Sequence, residues 1–276
     1  MYEFVIRGTR GTLAACRSDC LRYGGNTTCF SLRTPEGMIL FDAGTGISNV
    51  TADLADRPST GAITLLFTHF HMDHLIGFPG FTPFYSKDTD MTLMADPGRE
   101  TSWRDDLRMF MRRPFWPIAL YESEADMTLT DLPPGEPRVS IDGVEISWMQ
   151  VPHPQQCLAY RVELPGGCAV VIATDTEYEV DRIDPRFVDF CRGANHLIYD
   201  AQYRPDEYPS HRGWGHSTWE TAARVATAAD VGQLILTHHE PSRKDDEVDA
   251  IVADAVERFH CTVGATENLV VCRSGH

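Results

Sequence analysis

The chain has 276 residues, 42% of them apolar, with 40 acidic against 24 basic side chains and a formal charge of −16. This length and apolar content exclude a disordered chain and leave ample material for one core, and no apolar run approaches the roughly 18 residues of a helical membrane span. The charge argues against a grip on long nucleic acid, which rests on Lys and Arg neutralising phosphates, and admits a small anionic substrate only where a metal supplies local positive charge.

The opening residues, Met-Tyr-Glu-Phe-Val-Ile-Arg, have an acid at position 3 and only a short apolar piece, so residues 2 to 7 are expected as a strand rather than a signal peptide, in a cytoplasmic protein. Strands over 28–33 and 37–42 are joined by "TPEG", with Pro and Gly in turn order. "DAGTGI" is a Gly-rich bend into a helix near 48–55, followed by a strand over 62–68. Residues 77–126 differ in texture: they hold "GFPGFTPFYS", a helix around 99–112 and the Pro-broken "RRPFWPIALYES", and read as a cap-like insertion in a single domain spanning 1–276. Strands resume over 139–149, where Asp-Gly marks a hairpin turn, and over 157–164 and 168–173, joined by "PGG". Helices near 183–191, 217–229 and 244–259 then alternate with strands over 195–200, 232–237 and 268–272. Two β-rich halves that each close with helices predict an α+β fold of two sheets packed face to face with helices outside. The eight cysteines lack the density of a disulfide scaffold and read as reduced thiols; Cys16, Cys20 and Cys29 contain no CxxC pair to suggest a metal cluster.

The stretch "THFHMDH", residues 68–74, is the strongest chemical signal. Residues two apart on an extended segment point the same way, so His69 and His71 can share one ion, and a bend into a helix would swing Asp73 and His74 toward a second. Imidazole and carboxylate without thiolate suit zinc, with manganese or iron as substitutes. Further ligands must come from elsewhere, and His153, Asp175 and His238 each end an apolar strand, where such sites are commonly built.

These residues resemble the metallo-β-lactamase superfamily: "HFHMDH" matches its HxHxDH motif, "LFDAGTG" its preceding strand-Asp-Gly element, and His153, Asp175 and His238 its later ligand motifs, over residues 39–238. The resemblance implies a four-layer αββα sandwich and two divalent ions. His69, His71 and His153 would bind the first ion, Asp73, His74 and His238 the second, and Asp175 would bridge both. Asp42 would orient ligands without coordinating. His238 is preferred to the adjacent His239 because the family pattern places the ligand directly after the Thr. "LIYDAQY", "GWGHSTWETAARVA" and "LILTHHEP" are most similar to the phosphodiesterase branch, which includes RNase Z, phosphoribosyl cyclic phosphodiesterase and cyclic-nucleotide phosphodiesterase-like proteins. One departure is that RNase Z has Glu where Asp200 stands.

The implied chemistry is attack on phosphorus by a hydroxide bridging two ions whose charge is offset by Asp73 and Asp175, with His216, backed by Asp200, protonating the leaving alkoxide. His216 also fits a plain helix-start position beside Ser217 or Thr218. The expected partner is a small, cyclic phosphodiester, with no long nucleic acid and no membrane, and a homodimer is admitted. His153 and Asp175 are separated by 175 − 153 = 22 positions, which leaves no room for the tRNA-gripping arm of some bacterial RNase Z proteins. A lactonase or thioesterase of the same fold is the alternative enzyme, and a non-catalytic metabolite-binding member the alternative class. Arg104, Arg108 and Arg112 read as a solvated helix stripe paired with Asp105 and Glu100 rather than a phosphate clamp, and Phe115 and Trp116 as packing residues that could instead stack on a base.

Overall fold

Most strands of this chain are apolar at successive positions instead of alternating, because both faces of the sheets are covered. The structure, a computed structural model, describes residues 1–57, 61–98 and 101–275. The strands in chain order are β1 (Tyr2–Gly8), β2 (Cys29–Arg33), β3 (Gly37–Phe41), β4 (Ala62–Leu66), β5 (Asp90–Ala95), β6 (Asp126–Asp131), β7 (Arg138–Ile141), β8 (Val144–Val151), β9 (Cys157–Leu164), β10 (Cys168–Ala173), β11 (His196–Asp200), β12 (Gln233–Thr237), β13 (Thr262–Gly264) and β14 (Leu269–Ser274). They form two sheets of seven, ordered β14-β1-β2-β3-β4-β5-β6 and β13-β12-β11-β10-β9-β8-β7. The helices are α1 (Ile47–Asp56), α2 (Trp103–Phe110), α3 (Pro185–Cys191), α4 (Trp219–Ala228) and α5 (Asp245–Arg258). Among the described residues no helix is long and apolar enough to cross a membrane.

The two-residue period of a strand divides each sequence between two cores. In β10, Val170 and Ile172 enter the core between the sheets, while Val171 and Ala173 join Phe187 of α3, Ala222 of α4 and Ile251 of α5 on the outer face. In β3, Ile39 and Phe41 face the other sheet, while Met38 and Leu40 pack with Val50 of α1 and Trp103 of α2. The four-layer αββα sandwich follows from this division. Asp142 and Gly143 both take positive φ (51° and 76°) in the β7–β8 hairpin, the left-handed pair that a two-residue turn requires.

Three strands were not anticipated: the short β13, and two within or at the end of the segment read as an insertion. β5 and β6 carry the same four residues, Asp-Met-Thr-Leu, and pair parallel with like opposite like, Asp90 to Asp126 through Leu93 to Leu129. The part of 77–126 outside the sheet holds short 3-10 turns and α2, the helix expected over 99–112. Positions 99 and 100 lie outside the described residues.

The sheets are tied together where the functional stretch begins. Tyr160 on β9 donates its hydroxyl to the carbonyl of Phe67 (2.7 Å), and the Leu158 N–H donates to the Thr68 carbonyl (3.1 Å), so residues 67–68 leave the first sheet held against the second. The carboxyl ends of β3, β4, β8, β10, β11 and β12 thereby open toward one cleft. Ile198, fully buried between the sheets, tests this packing. Ile198→Ala is expected to cost about 2–5 kcal/mol, read as a lower urea midpoint with an unchanged slope.

Candidate metal centre

The chain runs extended through His71 and then makes one 3-10 turn over Met72–His74. The extended part brings the rings of His69 and His71 to 4.5 Å between centroids, and the turn carries Asp73 and His74 to the other side of the cleft. At three other strand ends the backbone turns left-handed on a residue that is not glycine: Asp42 (φ 59°), Asp175 (φ 52°) and His238 (φ 58°). This conformation is uncommon for L residues, and the surrounding packing must hold it in place.

Ligand-type atoms of His69, His71 and His153 lie within 4.8 Å of one another, as do those of Asp73, His74, Asp175 and His238. Asp175 joins the two groups. Its Oδ1 is 3.8 Å from His69 Nε2, while its Oδ2 is 3.1 Å from His74 Nε2 and 3.2 Å from His238 Nε2. Asp73 Oδ2 completes the second group, 3.3 Å from His238 Nε2 and 3.5 Å from His74 Nε2. Among the described residues, His69 Nε2, His74 Nε2, His238 Nε2 and Asp175 Oδ2 are buried with no hydrogen-bond partner. Orphaned polar atoms of this kind are costly unless they ligate an ion. The residues fit two divalent cations.

The electrostatics agree. Burial alone would raise the carboxyl groups of Asp73 and Asp175, but the neighbouring imidazoles hold both well below the usual carboxylate range. Burial would likewise lower His238, but Asp175 and Asp73 hold it up to about 9, and Asp175, Asp73 and Asp42 keep His74 well above its ordinary value. This half of the cluster therefore draws positive charge strongly. In the other half burial dominates: it pulls His153 down to about 4 and also lowers His69 and His71, leaving neutral imidazoles, the form that binds metal.

Five of the seven ligand candidates are oriented from behind. Asp42 Oδ2 lies 2.8 Å from His74 Nδ1 and accepts from the Thr68 hydroxyl, which is 3.0 Å from His69 Nδ1. The Gly215 carbonyl lies 2.9 Å from His153 Nδ1, and Gln202 Oε1 2.9 Å from His238 Nδ1. The Thr12 N–H donates to Asp73 Oδ2 (2.7 Å). Gln202, Thr68, Thr12, Gly11 and Gly215 escaped the sequence reading. A Cβ on Gly11 would sit 2.3 Å from His238 Nδ1, and one on Gly215 2.0 Å from His153 Nδ1. Gly11 and Gly215 are thus close-approach positions, a signal that was present but not interpretable without the neighbours.

Asp200 Oδ2 lies 2.8 Å from His216 Nδ1 and 3.1 Å from the Asp175 N–H, which brings this pair to the edge of the cluster. His239 is buried behind the site, edge-on to Tyr23, and among the described residues neither of its ring nitrogens has a hydrogen-bond partner. Arg108 pairs with Asp105 as expected, but Arg104 pairs instead with Asp131 (2.6 Å) and stacks on Trp103. Glu100 lies outside the described residues, and Arg112 is exposed. Trp116 Nε1 donates to the Tyr85 hydroxyl, whereas Phe115 is 68% exposed and lines a cavity beside His153.

A family model described as "Beta-lactamase superfamily domain" matches residues 38–239, which include every candidate named above from Asp42 to His238. The chain belongs to that superfamily. Its sequence is 24% identical to Ribonuclease Z of Thermoplasma acidophilum over 81% of this chain and 83% of the relative. The metallo-β-lactamase fold protein YhfI of Bacillus subtilis superposes with a TM-score of 0.73 at 18% identity, covering 98% of each chain. Human tRNase Z, short form, superposes with a TM-score of 0.66 at 18% identity, again over 98% of each. The expectation that no long nucleic acid would be a partner does not stand against relatives named as ribonucleases. Net charge sums the whole surface, whereas a phosphate meets the local field of a site that concentrates cations.

Protein purified without chelator should approach two ions per chain by elemental analysis, and Asp175→Ala should lose at least one. Gly11→Ala, which pushes on His238, should lower occupancy about 10–100-fold in affinity terms. Full occupancy in a variant lacking His69, His71 and Asp175 together would disprove this ligand set.

Proposed function

We propose that this protein hydrolyses phosphodiesters with two divalent ions, zinc or in its place manganese or iron, and that a cyclic nucleotide or cyclic ribose phosphate is among its substrates. The chain is a metal-dependent hydrolase of its superfamily. The observation that carries the proposal is the Asp175 carboxylate, whose two oxygens face separate imidazole groups with the Asp200–His216 pair alongside. In this reading His69, His71 and His153 hold one ion, Asp73, His74 and His238 the other, and Asp175 both.

Bound there, the ions would supply an activated water and positive charge opposite the phosphate oxygens. The chain's own residues do the rest. Asp42 and Gln202 accept from Nδ1 of His74 and His238, which directs the Nε2 lone pair of each inward. Asp200 accepts from the backbone N–H groups of Asp175, Gln202 and Ser217, so its carboxylate is fixed before it meets His216 Nδ1. Nε2 of His216 is left as the nitrogen that can deliver a proton to the departing alkoxide. His216 lines a cleft of about 640 Å³ with Asp73, Asp175, Tyr203 and Trp214, large enough for a sugar phosphate.

The decisive experiment is a panel of bis-p-nitrophenyl phosphate, 2′,3′- and 3′,5′-cyclic nucleotides, precursor RNA, a lactone and a thioester, each with zinc or manganese. Turnover is expected on the cyclic phosphodiesters, abolished by chelator, with RNA cleavage compatible with the proposal. Turnover of the lactone or thioester with no phosphodiester cleaved would overturn it. His216→Ala should depress turnover of poor leaving groups about 10²–10⁴-fold while sparing p-nitrophenolate and metal content. Equal losses on both substrate types would assign His216 to substrate placement instead.

A further inference from the structure

The chain between β11 and α4, residues 201–218, departs from the second sheet and returns to it: Tyr203 and Thr218 meet in an isolated bridge, with one short 3-10 turn, Tyr208–Ser210, between them. A loop of this length keeps a fixed shape only where side chains tie it down. Glu207 ties the first limb, through Arg243 (2.7 Å). The second limb, "RGWGHS", carries His216 together with the Gly215 carbonyl that faces His153. Its tie is the half-buried carboxylate of Glu177, which collects three donors from this loop. Oε1 accepts from the Gly213 N–H (2.6 Å) and the Tyr208 hydroxyl (2.9 Å), and Oε2 accepts from the Gly215 N–H (2.7 Å).

Glu177 stands where three segments of the site converge. It lies two residues beyond Asp175, and its own N–H donates to the Pro152 carbonyl (2.8 Å), next to His153. Gly213 and Gly215 both take positive φ (86° and 94°), and left-handed positions set among ordinary ones turn N–H groups to one side, where an anion is favoured. Glu177 supplies that anion from within the chain. Gly215 passes the constraint on: Glu177 holds its N–H while its carbonyl lies 2.9 Å from His153 Nδ1. A carbonyl can only accept, so the His153 proton sits on Nδ1, leaving the Nε2 lone pair, 3.1 Å from His71 Nδ1, for an ion. His216 is the next residue along the chain.

We propose that Glu177 is a positioning residue of this centre, which by clamping Gly213 and Gly215 sets His153 for the first ion and His216 for the leaving group. The inference deepens the phosphodiesterase reading and rests on it for the part played by His216. The part played by His153 concerns metal alone.

The test is Glu177→Gln, which keeps the shape of the side chain but turns a donor toward one of the N–H groups that the carboxylate served. Three readings are taken on the full chain. Hydrogen exchange at the Gly213 and Gly215 amides should quicken by about tenfold, with exchange in β10 and α4 unchanged. Zinc affinity, from titration of the metal-free protein against a chromogenic chelator, should fall roughly tenfold. With metal saturating, the ratio of cyclic nucleotide turnover to bis-p-nitrophenyl phosphate turnover should also fall about tenfold, because only the alkoxide needs the His216 proton. Glu177→Asp keeps two acceptor oxygens on a shorter stem and should show the same changes in smaller degree, and it carries the test if the glutamine variant does not fold. Unchanged exchange at Gly213 and Gly215 overturns the inference, as does faster exchange with zinc affinity and the turnover ratio both at wild-type values. A wild type that hydrolyses no phosphodiester, while Glu177→Gln still loosens the loop and weakens zinc, would sink the parent reading alone.

Discussion

The carboxylate of Asp175 is the point on which the site turns. It is 1% exposed, ends a strand in a left-handed conformation, and sends its two oxygens to different groups of imidazoles. An ionised carboxylate is tolerated at such depth only when positive charge surrounds it, and removing one partner of a buried charge costs far more than the pair contributes. The histidines around it cannot be read as packing residues. They are arranged to supply or exchange the charge that Asp175 requires.

The fold makes this arrangement reachable from distant parts of the chain. Strands apolar on both faces need cover on both sides, and the four layers provide it. Tyr160 and Leu158 fasten the end of the first sheet to the second, so segments from Asp42 to His238 finish within one cleft. Glycine matters here for its lack of bulk: at Gly11 and Gly215 the rings of His238 and His153 occupy the space that a Cβ would need.

Much of this was legible in the sequence, for a physical reason. Continuous apolar runs ending in His or Asp announce buried strands with polar tips, as at His153, Asp175 and His238, and the expected strands over 157–164 and 168–173 coincide with β9 and β10. β5 and β6 were hidden because their Thr-rich alternation lies near prolines and aromatics that suggested irregular chain. Gln202 was hidden because a glutamine carries no chemical signature. Its function arises only when the chain beyond β11 sets its amide 2.9 Å from His238. Charge misled in a different way: the value of −16 describes the whole surface, while proteins named as ribonucleases match most of the chain in sequence or in fold.

The doubled Asp-Met-Thr-Leu of β5 and β6 has a consequence for colloidal behaviour. β6 is the edge of its sheet, and its neighbour is a nearly identical segment stacked parallel and in register. That is the stacking geometry of cross-β fibrils, so the open edge offers a template onto which the same segment from another molecule could add. The aspartates oppose this. Asp90 and Asp126 already lie side by side and exposed, and each further copy would extend a column of like charges along the ladder. The same repetition that makes the edge self-complementary in backbone makes it self-repelling in charge.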